Sequence, residues 1–161
     1  MATQTNTAQV VPLRPTKADQ QSDKKWGKAV MKLGFCIIPS LLLRAQQRLG
    51  LNPTQLAVLM QLADFWWDQD RKPYPSKQAL SERLGLSPRQ VQRYIAELEA
   101  AGLVKRNERH ATNGGILSNE YDLSGLVERL KKIAPDIEAA NAAKKQATRR
   151  GGLPKPLVTG K

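Results

Sequence analysis

The stretch LGLSPRQVQRYIAELEAAGLVKR, residues 84–106, leaves little freedom in how it folds. Ser87 and Gln90 stand in the S-x-x-Q spacing of a capping box, where serine and glutamine side chains each satisfy a backbone N–H left open at a helix start. Pro88 falls on the first helical position, where its missing N–H costs nothing. The start is therefore set to within a residue, and Gly102 followed by the apolar Leu103 gives an equally clear stop. Just upstream, Ser76 is placed to cap a short helix over 77–84, with Ala79, Leu80 and Leu84 facing inward. Gly85 and Leu86 end that helix in the same glycine-then-apolar manner. Two helices separated by Gly85, Leu86 and Ser87 and capped in this way make a helix-turn-helix.

Past Gly102 the periodicity changes. LVKRNERH and ILSNEYDL flank ATNGG, where Asn113, Gly114 and Gly115 supply the positive-φ residues of a hairpin tip. Leu117, Tyr121 and Leu123 fall on one face of the second strand, with Ile116, Ser118, Glu120 and Asp122 on the other. Helix, turn, helix and two-stranded ribbon give a mainly α fold with a small β-hairpin, a winged helix-turn-helix. Ser124 then caps a last helix, GLVERLKKIA, with Leu126, Leu130 and Ile133 aligned.

Upstream of the pair, the spacing predicts a turn or two of helix over 26–33 and a short strand in GFCII. A helix then follows from Pro39 and Ser40 to Gly50, with Leu42, Ala45, Gln46 and Leu49 in register. Asn52 and Pro53 open a further helix to about Trp67. Its wide apolar stripe of Leu56, Leu59, Met60, Ala63, Trp66 and Trp67, with Val58, Leu62 and Phe65 beside it, places it at the centre of the core. The tryptophan pair is expected to pack there rather than to offer a stacking platform for bases. Residues 26–135 thus form one domain. Residues 1–25 form a polar, basic tail too poor in large apolar groups to order itself, and 136–161 form a basic tail that is helical in its Ala-rich first part.

Charge narrows the partner. The net charge of +12 favours phosphate-rich partners. From Arg71 to Arg109 there are nine basic residues against four acidic, whereas residues 33–70 carry two basic against three acidic. No apolar run is long enough to span a bilayer and the polar start lacks a signal-peptide centre, so a cytosolic protein is expected. Cys36 is the single cysteine, expected to be a small buried side chain, and with His110 as the single histidine no metal set is read; no cofactor is implied. The acidic residues are scattered and no catalytic constellation is visible.

The helix after Ser87 carries the candidate site. Stepping about 100° per residue from Val91 puts Ile95 and Leu98 within about 40° of it, with Tyr94 at the margin. Arg89 and Arg93 fall nearly opposite, flanked by Gln90 and Gln92. The early part of a recognition helix is what meets base edges in the major groove, where arginine pairs with guanine and glutamine with adenine. Arg89, Gln90, Gln92 and Arg93 are thus the candidate base readers. Ser76, Lys77 and Ser87 at the helix starts, and Arg106, Arg109, His110 and Asn113 in the wing, are candidates for the DNA backbone or a neighbouring minor groove.

The run from about Trp26 to Pro135 resembles small winged-helix proteins of bacterial plasmids, integrative elements and phages, related to the DNA-binding domains of some replication initiators. The resemblance rests on IPSLLL, QLAVLMQLADFWW, YPSKQALSERLGLSPRQVQRYIAELEAAGLVKR and SNEYDLSGLVERL. It implies that Ser87, Arg89, Gln90, Gln92 and Arg93 match the recognition helix. A sequence-specific duplex-DNA regulator of a mobile element is the expected function. A replication or partition accessory factor, or a protein-binding adaptor using the Trp-rich or last helix, are the alternatives. A homodimer through Leu126, Val127, Leu130 and Ile133 stands beside the packing of those residues onto the chain's own core.

Overall fold

A computed structural model describes residues 17–149 apart from 69, 113 and 116, with side chains from residue 21 onward. Two compact units divide at Cys36/Ile37. The first contains α1 (Lys17–Trp26) and α2 (Lys28–Lys32), separated by Gly27, whose φ of 87° breaks the helix. α1 lies mostly in the stretch expected to lack order, and α2 falls where a short helix was predicted. GFCII forms no strand: residues 34–38 have no regular structure. Gly34 at φ 113° opens that segment, and an apolar run without a partner chain has no ladder to join. Cys36 is half-buried.

The second unit runs α3 (Ser40–Arg44), α4 (Pro53–Asp64), α5 (Lys77–Leu84), α6 (Pro88–Ala100), β1 (Lys105–Asn107), β2 (Glu120–Asp122) and α7 (Ser124–Arg149). The helix predicted over 40–50 is shorter, and its continuation is a series of turns. Leu42, Ala45 and Leu49 are nonetheless buried as their spacing requires. Asn52 makes a full capping box at α4: its side chain accepts from the Gln55 N–H at 2.8 Å, and the Gln55 side chain accepts from the Asn52 N–H at 2.9 Å. Val58, Leu59 and Leu62 of α4 are completely buried and form the middle of one core with Leu80, Val91, Ile95, Leu98, Leu103, Tyr121 and Leu126. α4 is central, as its apolar stripe indicated, but it stops at Asp64. Trp66 packs partly against the core, whereas Trp67 is 69% exposed. The expected burial of both indoles therefore holds for one and fails for the other, because the helix ends before its periodicity can carry Trp67 inward.

β1 and β2 pair antiparallel with Arg106 opposite Tyr121. A Tyr121 N–H···O=C Pro73 bond of 2.8 Å ties residues 73–75 to the outer side of this ribbon. At the tip, Gly114 has φ 80°, as expected of it, and its N–H donates to the Ala111 carbonyl at 2.9 Å, whereas Gly115 is not among the glycines of positive φ and Asn113 lies outside the described residues. Tyr121 and Leu123 point into the core, but Leu117, expected on the same face, is 42% exposed near the tip, beyond the reach of the core.

α7 passes through Pro135 instead of ending there. Proline forfeits one backbone hydrogen bond, but the next turn is held to the body by an Arg48–Asp136 ion pair at 2.5 Å and by partly buried Ile137. Leu126, Leu130 and Ile133 are buried in the chain's own core, so three of the four side chains considered for a dimer are already occupied. Gly125 is required at the junction: a Cβ there would lie 2.2 Å from the Gly102 carbonyl oxygen. That close approach lets the Leu126 N–H bond the Leu103 carbonyl and seats α7 against the end of α6.

Candidate nucleic-acid interface

α5, the turn and α6 have the geometry their caps dictate. The Ser76 hydroxyl accepts from the Ala79 N–H at 3.0 Å, Gly85 ends α5 in the left-handed region at φ 63°, and the Leu86 carbonyl accepts from the buried Ser81 hydroxyl. The turn is thus fixed from both sides. At α6 the Ser87 N–H donates to Gln90 Oε1 at 2.9 Å, and the Gln90 N–H donates to the Ser87 hydroxyl oxygen at 3.3 Å. With Val91, Ile95 and Leu98 at 0–1% exposure, the rod is anchored along one side and its outward side is fixed with it.

All four candidate base readers are exposed, yet their chemical freedom differs. Arg89 and Gln92 have no hydrogen-bond or ionic partner among the described residues and are available to a ligand. The Gln90 carbonyl oxygen is engaged by the Ser87 N–H and hydroxyl, so the paired acceptor and donor needed to read adenine are divided between cap and groove. Arg93 leans back along α6, with Nε 3.7 Å from Glu97 and its guanidinium 5.1 Å from the Tyr94 ring centre. Glu97 is itself held by a 2.8 Å bond from the Gln55 side chain of α4.

The backbone candidates also separate. Lys77 is exposed at the start of α5, while Ser76 and Ser87 spend their hydroxyls on caps. Arg106 does not face outward: its guanidinium lies 3.2 Å from Glu99, whose other oxygen accepts from the Arg106 N–H at 2.9 Å. It is a strut between wing and α6. Arg109 lies 4.5 Å over the Tyr74 ring, and exposed His110 is 4.0 Å from Glu108. Asn113 lies outside the described residues. Lys105, exposed on β1, was not singled out by sequence reasoning, although its alternation with buried Val104 could have shown it.

Lys72 holds the base of the wing, 3.1 Å from Asp122 and 3.7 Å from Glu120. Its pKa is raised, chiefly by the hydrogen bond to Asp122. Hydrogen bonds from Ser124, then Lys72, pull Asp122 down to about 2. This ion pair fixes the 72–75 segment against β2 at the start of α7. Burial raises the pKa of Tyr121 at the centre of the same junction. Among the described residues no group of three His, Cys, Asp or Glu side chains is placed to hold a metal, and no helix is long and apolar enough to cross a membrane.

Residues 49–104 match a helix-turn-helix domain family, which covers α4, α5 and α6 but stops before the wing. No curated protein gives a match. Among solved structures, the chain is similar to the N-terminal domain of the DnaD protein from Geobacillus kaustophilus, at 21% identity and a TM-score of 0.47, covering 83% of this chain and 97% of that one. The MepR–DNA complex of S. aureus follows at 18% and 0.41, covering 70% and 88%. The multiple antibiotic-resistance repressor of Listeria monocytogenes stands at 18% and 0.39, covering 86% and 82%. Likenesses at this level do not bear on what the chain binds.

Proposed function

We propose that the chain is a sequence-specific duplex-DNA-binding regulator that works in the bacterial cytoplasm, without catalysis or a cofactor, and serves a mobile element such as a plasmid or phage. The observation that carries the reading is the outward side of α6: the Arg89 and Gln92 side chains are exposed and, among the described residues, unpaired, on a helix whose opposite side is locked in the core. Such side chains lose little conformational freedom in the backbone beneath them when they meet base edges. Arg89 and Gln92 act as the principal readers, with Arg93 recruited from Glu97 when a phosphate or guanine competes for it. Gln90 serves first as the cap. Lys77, Lys105, Arg109 and His110 contact the backbone, and Arg106 keeps the wing at its angle to α6. The DNA-binding elements all belong to the unit that begins at Ile37, and the basic terminal segments add charge that attracts the duplex.

A dimer remains part of the proposal, but its surface is not the Leu126, Leu130 and Ile133 row, which the chain's own core uses. The reading is tested by salt titration of binding to a selected duplex. Neutralising about five to eight phosphates predicts a slope of roughly −5 to −7 in log K against log salt. A flat response would remove phosphate contact from the mechanism. The adaptor alternative draws its support from exposed Trp67, which the duplex reading leaves unused.

A further inference from the structure

Trp67 and Tyr74 are 69% and 46% exposed, and both line a hollow of about 330 Å³ with Phe65, Arg71, Lys72 and Pro75. Tyr74 is held between buried Pro73 and Pro75, and its carbonyl accepts from the Ser118 hydroxyl at 3.0 Å. The two prolines restrict the backbone on both sides, so this ring is presented at low conformational cost. Guanidinium groups already sit over two of the rings: Arg109 lies 4.5 Å from the Tyr74 centre and Arg83 lies 4.4 Å from the Phe65 centre. Arg71 is exposed at the rim; its N–H donates to the Asp68 carbonyl at 3.3 Å and its guanidinium has no hydrogen-bond or ionic partner among the described residues, whereas Lys72 is engaged by Asp122 and Glu120. Among the described residues Asp68 is the one acidic group in the lining.

We propose that this hollow is a second nucleic-acid site, which takes unpaired bases of a single strand on Trp67 and Tyr74 and their phosphates on Arg71 and Arg109. The choice of ligand follows from the pairing of surfaces. Exposed flat rings gain most from a partner with π-faces, and the Arg71 and Arg109 guanidinium groups, neither neutralised by an ion pair among the described residues, gain most from negative charge; a strand with unpaired bases offers both at nucleotide spacing. A closed duplex hides its base faces, and a protein partner would cover the rings without giving the two arginines phosphates to meet. With the duplex-reading set this site shares only Arg109, so it stands or falls apart from the reading of α6.

The test uses the full chain, a labelled oligothymidylate of about ten nucleotides and, in parallel, a selected duplex, with binding followed by anisotropy. The wild type binds the single strand with quenching of tryptophan fluorescence. Trp67→Ala weakens that binding about tenfold or more, whereas Trp67→Phe, which keeps a ring, retains most of it. Arg71→Ala lowers the magnitude of the salt slope for the strand by about 0.7. Arg89→Ala leaves strand binding unchanged while duplex binding falls. The proposal is overturned if the wild type ignores the oligothymidylate, if Trp67→Ala binds it as the wild type does, or if Trp67→Ala and Arg89→Ala each weaken strand and duplex alike.

Discussion

Glu97 sits on the edge of the outward side of α6 and works against DNA in two ways, so its replacement should tighten binding. Its carboxylate holds Arg93 at 3.7 Å, in an exposed i,i+4 pair worth about 0.3–0.5 kcal/mol. It also repels phosphate: at a separation of about 7 Å in water, two like charges cost about 0.6 kcal/mol. Glu97→Gln removes both effects while keeping a carbonyl oxygen for the 2.8 Å bond from Gln55. The expected gain is about 1 kcal/mol, or roughly fivefold in Kd, measured by anisotropy on a selected duplex at fixed salt. Folding stability should change by less than about 0.5 kcal/mol, since the side chain is 41% exposed. In an Arg93→Ala background the gain should shrink to the repulsive part, about threefold. Unchanged or weaker binding by Glu97→Gln in the wild-type background would refute the placement of Arg93 and Glu97 at the duplex.

Gly125→Ala drives a Cβ into the Gly102 carbonyl and should destabilise the fold by roughly 1–3 kcal/mol in denaturant unfolding; a variant as stable as the wild type would show that α7 does not approach α6 as described. Asp122 has a folded pKa of about 2 against an ordinary 3.8, so its contribution is complete above about pH 4 and is lost as pH falls through 2. Asp122→Asn should therefore cost roughly 1–2 kcal/mol at pH 7 and nothing below pH 2, with the difference between the two unfolding curves closing across that window.

The features legible in the sequence are those set by a few neighbouring residues. Ser76, Ser87 with Pro88 and Gln90, Asn52 with Pro53, and the stops at Gly85 and Gly102 all act within one turn, and the helices begin and end where these residues place them. The burial of Val91, Ile95 and Leu98 was equally readable, because a helix's period is local. What escaped depends on distant partners. The position of Arg106 in the wing points to a DNA contact, but Glu99 from α6 pairs with it, and Gln90 has the chemistry of a base reader while its own capping box competes for it. Pro135 suggested a helix end, but contacts of Asp136 with Arg48 and of Ile137 with the core carry α7 onward. The exposure of Trp67 turns on where α4 stops, and periodicity alone extends that helix too far. Nothing local to Tyr74 marks it, because the guanidinium over its ring comes from Arg109, far along the chain.

The central claim, that free side chains on the outward side of α6 choose the DNA sequence, is tested most directly by selecting bound duplexes from a random pool with the wild type and with Arg89→Ala and Gln92→Ala. The wild type should recover a defined motif, and each variant should lose preference at its own base position while keeping the others, at a cost of roughly 1–3 kcal/mol per lost contact. Recovery of the same motif by all three proteins, or of none by the wild type, would contradict it.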